Sequence, residues 1–374
     1  MKRALISSGG GARAAYQAGV LKAIAELVPP GTRNPFSIIC GTSAGAINAA
    51  ALASGAHDLL GASEALCRVW ASLTIDRVYR AETWPLLRIT GRWARAFLSG
   101  KPAQRPVGLL DNTPLKELLA QAIPWSAIRT NIELGVVDAL AITASSYDSG
   151  LSVSFCMGAE DIPMWERAQR LGLRTAISIE HLMASSAIPF LFPPVKIGDE
   201  YFGDGAIHQV APTAPALHLG ADRILLIGAN RARNYRAPRR PTGGPSLAQI
   251  GGHVLASIFT DALGTDLEKV RLVNVAVRQI PPERLPDSPM PLRDVGLCVL
   301  TPSVSLQALA LEHHGRLPRS LRLLVGRVSG TDESGAALLS YLLFDANYCR
   351  ALINLGYRDG MAARKDIQLF LREP

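Results

Sequence analysis

Three short stretches carry residue types that could supply a nucleophile, a base and a cradle for negative charge. The first is Gly41-Thr-Ser-Ala-Gly45, in which Ser43 has a glycine two residues to either side. That spacing suits a turn so tight that neighbouring backbone must approach closely and the hydroxyl is pushed outward. The apolar run Phe36 to Cys40 before it and the Ala-rich run Ala44 to Leu52 after it predict strand, sharp turn, helix. The free amides and the dipole at that helix start favour negative charge developing beside Ser43.

A serine is inert until a base takes its proton. Seven histidines are present, at 57, 181, 208, 218, 253, 313 and 314, and the best placed for a Ser-His-Asp triad, His208, lies only four residues past Asp204. A carboxylate in a partly dry site can act instead. Asp204, held between Gly203 and Gly205 after an apolar segment, is the candidate, although Asp-Gly alone is a common turn dipeptide. The third stretch is Gly9-Gly-Gly-Ala-Arg13. It lacks the third glycine of a dinucleotide fingerprint, since Ala14 stands there, and the Gly-Lys-Ser/Thr ending of a P-loop. What remains is a side-chain-free loop at a helix mouth, able to point amides at an anion or a developing oxyanion, or else a merely tight βα turn, for which one glycine of the three would suffice.

The elements that must position these residues are legible in outline. Residues 3–8 read as a buried strand and Ala15 to Leu27 as a helix, stopped by Pro29-Pro-Gly31. Strand, loop and helix followed by the strand and helix around Ser43 predict an α/β domain with parallel strands. Further on we expect a helix from Asp111, a hairpin of strands at about 134–145 and 151–156 joined by Tyr147 to Gly150, and a strand from Val195 turning at Gly198 into Tyr201-Phe202. A helix over Pro212 to Leu219 and a strand from Arg223 to Ala229 come next. A basic loop is expected at 230–246, helices at 247–273, a strand near 295–300 and a terminal helix at about 334–355.

The chain has 374 residues, 48% hydrophobic and 19% charged, enough for a sizeable core. Its start carries only a three-residue apolar run and no stretch is long enough to span a bilayer, so neither a signal peptide nor a transmembrane segment is expected. Five scattered cysteines form no disulfide or zinc framework, and their apolar neighbours suggest a reducing compartment, the cytoplasm. Net charge is +8; between Leu66 and Arg105 eight basic residues face two acidic ones, with Trp70, Trp84 and Trp93 among them. This stretch reads as a helical basic cap over the core, either a plain solvated face or a surface for anionic membrane. No nucleic-acid-binding module accompanies it.

Taken together, Gly9-Gly-Gly-Ala-Arg13, Gly41-Thr-Ser-Ala-Gly45 and Asp204-Gly205-Ala206, with Ala184 to Pro194 leading to the aspartate, resemble the patatin-like phospholipase family over residues 3–230. Ala14, where many members carry glycine, and Ser8, where plant members carry aspartate, depart from the pattern. The resemblance implies a three-layer α/β/α fold with a mainly parallel sheet, a cap insertion at about 57–105 within a catalytic domain of residues 1–230, and a helical C-terminal extension over 231–374. It implies a Ser43–Asp204 dyad and an oxyanion hole at Gly9, Gly10 and Gly11. Arg13, Gly41, Gly45, Gly205 and Ala206 would support the motifs, and no metal or cofactor is needed. Arg13 would hold the loop or a lipid phosphate. The implied activity is hydrolysis of phospholipid or another acyl-ester lipid, at the inner membrane face or free of it. The alternatives are a carboxylesterase or transacylase on short acyl esters and a non-catalytic lipid-binding module.

Overall fold

The computed structural model of the chain describes residues 1–29, 31–80, 108–229, 262–281, 284, 292–317 and 333–372. Strand β1 (Arg3–Ser7) passes through a 3-10 turn (Gly11–Ala14) into α1 (Ala15–Glu26), and β2 (Ile38–Thr42) leads to α2 (Ala44–Ser54) and α3 (Leu59–Ala71). Helices α4 (Thr113–Ala122) and α5 (Trp125–Glu133) precede β3 (Ala139–Ser146), β4 (Ser152–Gly158), β5 (Glu166–Arg167) and β6 (Arg170–Arg174). Next come α6 (Ile179–Ser185), β7 (Val195–Ile197), β8 (Glu200–Asp204), α7 (Ala214–His218) and β9 (Arg223–Ile227). The chain continues through α8 (Leu263–Val277), β10 (Gly296–Leu300), α9 (Leu306–Glu312), α10 (Glu333–Leu342), α11 (Ala346–Ala362) and α12 (Arg364–Arg372).

Among the described residues ten strands join one sheet, eight of them in the order β10-β9-β1-β2-β3-β4-β6-β5, with β8 also paired to β3 and β7 to β8. From β10 to β3 every pairing is parallel. These strands are apolar almost throughout, as a sheet covered on both faces requires. Side chains alternate between two cores with the strand period of two. Leu5, Ile39, Leu140, Ile142, Leu225 and Ile227 face the larger core, beneath α1, α2, α3 and the C-terminal helices. Ala4, Ile6, Ile38, Cys40, Ile224 and Leu226 face the smaller one, covered by α7 and α8. The result is a three-layer α/β/α arrangement. Helices α1 and α11 pack so closely that a side chain at Gly19 would strike the carbonyl of Ile353, and one at Gly356 the carbonyl of Tyr16.

The C-terminal residues are woven into the same framework. β10 extends the sheet beside β9, and α10, α11 and α12 complete the larger core. One long helix was expected at 334–355; instead α10 stops at Leu342 and Asp345 caps α11, its carboxylate accepting from the amides of Asn347 and Tyr348. The strand expected from 134 begins at Ala139, because α5 continues to Glu133 and ends in a turn at Gly135 with a left-handed φ of 65°. The first piece of the expected cap, α3, packs into the larger core, and Trp70 is buried against Phe344. The rest of that basic stretch from 81 on, with Trp84 and Trp93, lies outside the described residues, as do the 230–246 loop and the part before 262 of the helices expected at 247–273, whose remainder falls in α8.

A buried polar network ties α1, α2 and α3 together. Asn48 donates to the carbonyl of Ala14 at 3.0 Å and to Gln17 Oε1 at 2.9 Å, and accepts from Trp70 Nε1 at 2.9 Å. Gln17 in turn donates to the carbonyls of Ser8 and Ile227. Each amide group is satisfied, which is the condition for such a network to stabilise a core. Asn48→Leu keeps the volume but strands the Trp70 indole N–H and Gln17 Oε1; we expect a loss of about 2–4 kcal/mol in urea unfolding with the m-value unchanged.

Candidate active site

One edge of β3 places the two central residues. Its other edge is paired with β4 from Ala139 to Ser145, so β2 and β8 must share the free edge end to end. β2 finishes at Thr42, opposite Thr143, and β8 brings Asp204 opposite the next residue, Ala144. Ser43, one residue past the end of β2, therefore meets Asp204: its Oγ donates to Asp204 Oδ2 at 2.6 Å.

Ser43 sits at φ 55°, ψ −132°, a conformation that costs a non-glycine residue energy and persists only where its surroundings enforce it. Gly41 lies within β2, and Gly45, in the first turn of α2, rests against the carbonyls of Ser7 and Ser8 with no room for a side chain. Ser185, at the end of α6, accepts from the Ser43 amide at 2.8 Å and donates to the Thr143 carbonyl at 2.6 Å. In the sequence Ser185 is one hydroxyl within the run Ala184 to Pro194, and only the fold brings it to the turn.

Asp204 is fully buried and its second oxygen accepts from the Ala206 amide at 2.9 Å, across the turn that begins at Gly205. Burial pushes its carboxyl up to about 6, against the opposing pull of the bonds from Ser43 and Ala206. Desolvation wins, and the group is left ionised at neutral pH yet basic for a carboxylate.

The glycine loop lies directly against the serine: a Cβ on Gly9 would stand 3.3 Å from Ser43 Cβ. Gly10 is pressed on Ala229, and Gly11 has a left-handed φ of 53° with its α-carbon against the carbonyl of Tyr341. The amides of Gly9, Gly10 and Gly11 donate to no acceptor among the described residues. Ala14 has ordinary helical geometry, so glycine is not required there, and Ser8 accepts from the Ala229 amide at 3.0 Å. Arg13 reaches across to α10. It is buried, donating from Nε to Ser340 Oγ at 2.7 Å and from Nη2 to the Ala337 carbonyl at 3.2 Å, with its guanidinium 4.1 Å from the Tyr341 ring centre. Of the two roles expected for it, holding the loop fits this placement and binding a lipid phosphate does not.

Among the described residues no imidazole hydrogen-bonds to Ser43 or Asp204. His208 meets Ser145 only through its backbone amide, and His181 caps α6 through Ser178. No group of three or more His, Cys, Asp or Glu side chains among the described residues could hold a metal ion. A cavity of about 540 Å³ begins at Gly11 and Ser43 and extends between α2, α3 and α4 with an almost wholly apolar lining.

Residues 5–217 match the family model described as patatin-like phospholipase. Among solved structures, VipD from Legionella pneumophila aligns with 94% of this chain and 66% of its own length, at 13% identity and a TM-score of 0.32. Human GIVD cytosolic phospholipase A2, in complex with methyl gamma-linolenyl fluorophosphonate, aligns with 99% of this chain and 59% of its own, at 14% identity and a TM-score of 0.42. The chain thus spans less than two thirds of the length of either. No curated protein matches.

If Asp204 is the base for Ser43, the rate of Ser43 modification by a fluorophosphonate follows ionisation of the carboxylate. It should be half-maximal near pH 6 and fall about tenfold per unit below that. A rate independent of pH from 5 to 8, read by quenched labelling and mass spectrometry, contradicts the pairing.

Proposed function

We propose that the chain, which belongs to the patatin-like phospholipase family, is a lipid acyl hydrolase that works through a Ser43–Asp204 dyad and an acyl-enzyme. The observation that carries this reading is the buried 2.6 Å hydrogen bond between the two side chains at the wall of an apolar cavity. As Ser43 Oγ attacks the ester carbonyl carbon, its proton passes to Asp204 Oδ2, and the amides of the Gly9, Gly10 and Gly11 loop receive the oxyanion. The C–O bond to the alcohol breaks and the alcohol leaves with the proton. Water then gives a proton to Asp204, attacks the acyl carbon, and Ser43 departs with that proton restored. Ser185, by holding the Ser43 amide, keeps the strained turn in place and leaves oxyanion binding to the glycine loop.

In this reading residues 1–230 form the catalytic domain and 231–374 an extension packed on it, whose helix α10 braces the oxyanion loop through Arg13 and Tyr341. Among the described residues no helix is long and apolar enough to cross a membrane. Access to lipid would then come by surface contact, with the net charge of +8 favouring an anionic membrane, and the cytoplasmic face of the inner membrane is the proposed location.

Ser43→Ala and Asp204→Asn should each lower turnover of a phospholipid or an activated acyl ester by at least about a thousandfold with unchanged circular dichroism. The raised carboxyl pKa also fixes a sign for stability. The folded state binds this proton more tightly than the unfolded chain, so stability falls as pH rises from about 4 to about 6 and the buried charge is a burden above that. Asp204→Asn is therefore expected to raise the thermal midpoint at pH 8 while abolishing activity. Turnover in purified Asp204→Asn within tenfold of wild type would sink the dyad.

A further inference from the structure

Two like charges face each other in the hairpin of β5 and β6, where Arg167 lies directly opposite Arg170. Directly opposed residues of an antiparallel pair share a face with Cβ atoms about 4.5–5.5 Å apart, and like charges so placed destabilise the hairpin. Among the described residues neither guanidinium meets a carboxylate. Arg167 donates to the carbonyl of Glu166, its own neighbour, at 2.8 Å, and Arg170 Nε is buried with no hydrogen-bond partner. A hairpin of this kind keeps an unfavourable pairing that nothing in the described fold offsets.

The face that the two arginines share also carries an aromatic floor. Residues 170, 172 and 174 of β6 point to one side of the strand. Gly172, in the middle, leaves room for Trp165, whose indole ring a Cβ at that position would strike. His218, at the end of α7, stacks on the indole with ring centres 4.8 Å apart and planes at 13°. Burial, and then the charges of Arg167, Arg170 and Arg293, push the His218 imidazole down to about 4, so it is neutral at pH 7. Two nearby arginines are already engaged: Arg174 by carbonyls of the 158–162 loop, and Arg293 by the carbonyls of Leu217 and Ala221, with Asp222 at 3.9 Å. Trp165 belongs to the smaller core, so the sheet stands between this place and the cavity at Ser43, which opens among residues of the larger one.

We propose that this face of the β5–β6 hairpin is a second binding site, for a phosphate group held by Arg167 and Arg170 beside the Trp165–His218 stack. A guanidinium presents a planar fork of donors, which a carboxylate fills with its two oxygens, whereas a phosphate has oxygens enough for two forks at once. Its negative charge also removes the repulsion that the opposed arginines carry alone. The site does not depend on the Ser43–Asp204 dyad. Its phosphate belongs to a lipid head group or to a soluble phosphate, and the two sources are separated by experiment.

The test is thermal unfolding of the full chain in sodium phosphate against sodium chloride of equal ionic strength. The wild-type midpoint should rise by at least about 2 °C in about 20 mM phosphate. That rise should be lost in Arg167→Gln and in Arg170→Gln. In chloride Arg167→Gln, altered at an exposed position, should melt at or above the wild type, because one of two opposed charges is gone. No rise in the wild type, or an equal rise in both variants, overturns the site. Co-sedimentation with phosphatidylcholine vesicles containing phosphatidic acid then separates the sources. Vesicle binding lowered at least about fivefold in Arg167→Gln supports the site with a lipid head group as its ligand. Unchanged vesicle binding beside a lost phosphate shift supports it with a soluble phosphate instead.

Discussion

The free edge of β3 is the constraint on which the site depends. Two strands that arrive from distant parts of the chain, β2 in parallel and β8 antiparallel, meet end to end on that edge, so consecutive rungs at Thr143 and Ala144 fix Ser43 beside Asp204. A register slip of one residue would send every side chain of β8 to the opposite face and separate the pair. The hydrogen bond that results is a consequence of ladder geometry more than of any attraction strong enough to gather the two residues. Burial of Asp204 is itself unfavourable, and the fold sustains it because the continuous apolar strands around it hold the sheet closed on both faces.

The same logic explains why helices remote in sequence crowd the glycine loop. A loop without side chains has many conformations to lose and no packing of its own. Here it is held from two directions, by Ala229 at the end of the central strands and by α10, whose Tyr341 carbonyl lies against Gly11 and whose Ser340 accepts from Arg13. The Asn48 and Gln17 amides continue this bracing beneath the elbow and join α1 and α2 to the carbonyl ends of β1 and β9. A strained serine at φ 55° needs surroundings as rigid as these.

Much of this was readable before the structure, because the signals are local. Glycines at 41 and 45 imply a close-packed turn, apolar runs around Ala4 and Ile39 imply buried strands, and Asp204 between glycines sits on a turn after an apolar strand. The chain's membership of its family fits those motifs. What could not be read depends on long-range partners. Arg13 looks like a free cation next to an anion site, and only α10, more than 320 residues further on, reveals that its charge is already engaged. Trp70, in a basic stretch, resembles a surface aromatic until Asn48 and Phe344 are seen to enclose it. Ser185 is one hydroxyl in a run of small residues, and its bond to the Ser43 amide spans 142 positions. The helix break at 343–345 hangs on a single capping aspartate within an otherwise helical pattern.

The most direct measurement is a crystal structure of the protein after reaction with a long-chain alkyl fluorophosphonate. The account predicts phosphorus bonded to Ser43 Oγ, with the phosphoryl oxygen about 3 Å from the amides of the Gly9 to Gly11 loop. Phosphorus on any other side chain, or a phosphoryl oxygen turned away from the glycine loop, would contradict it.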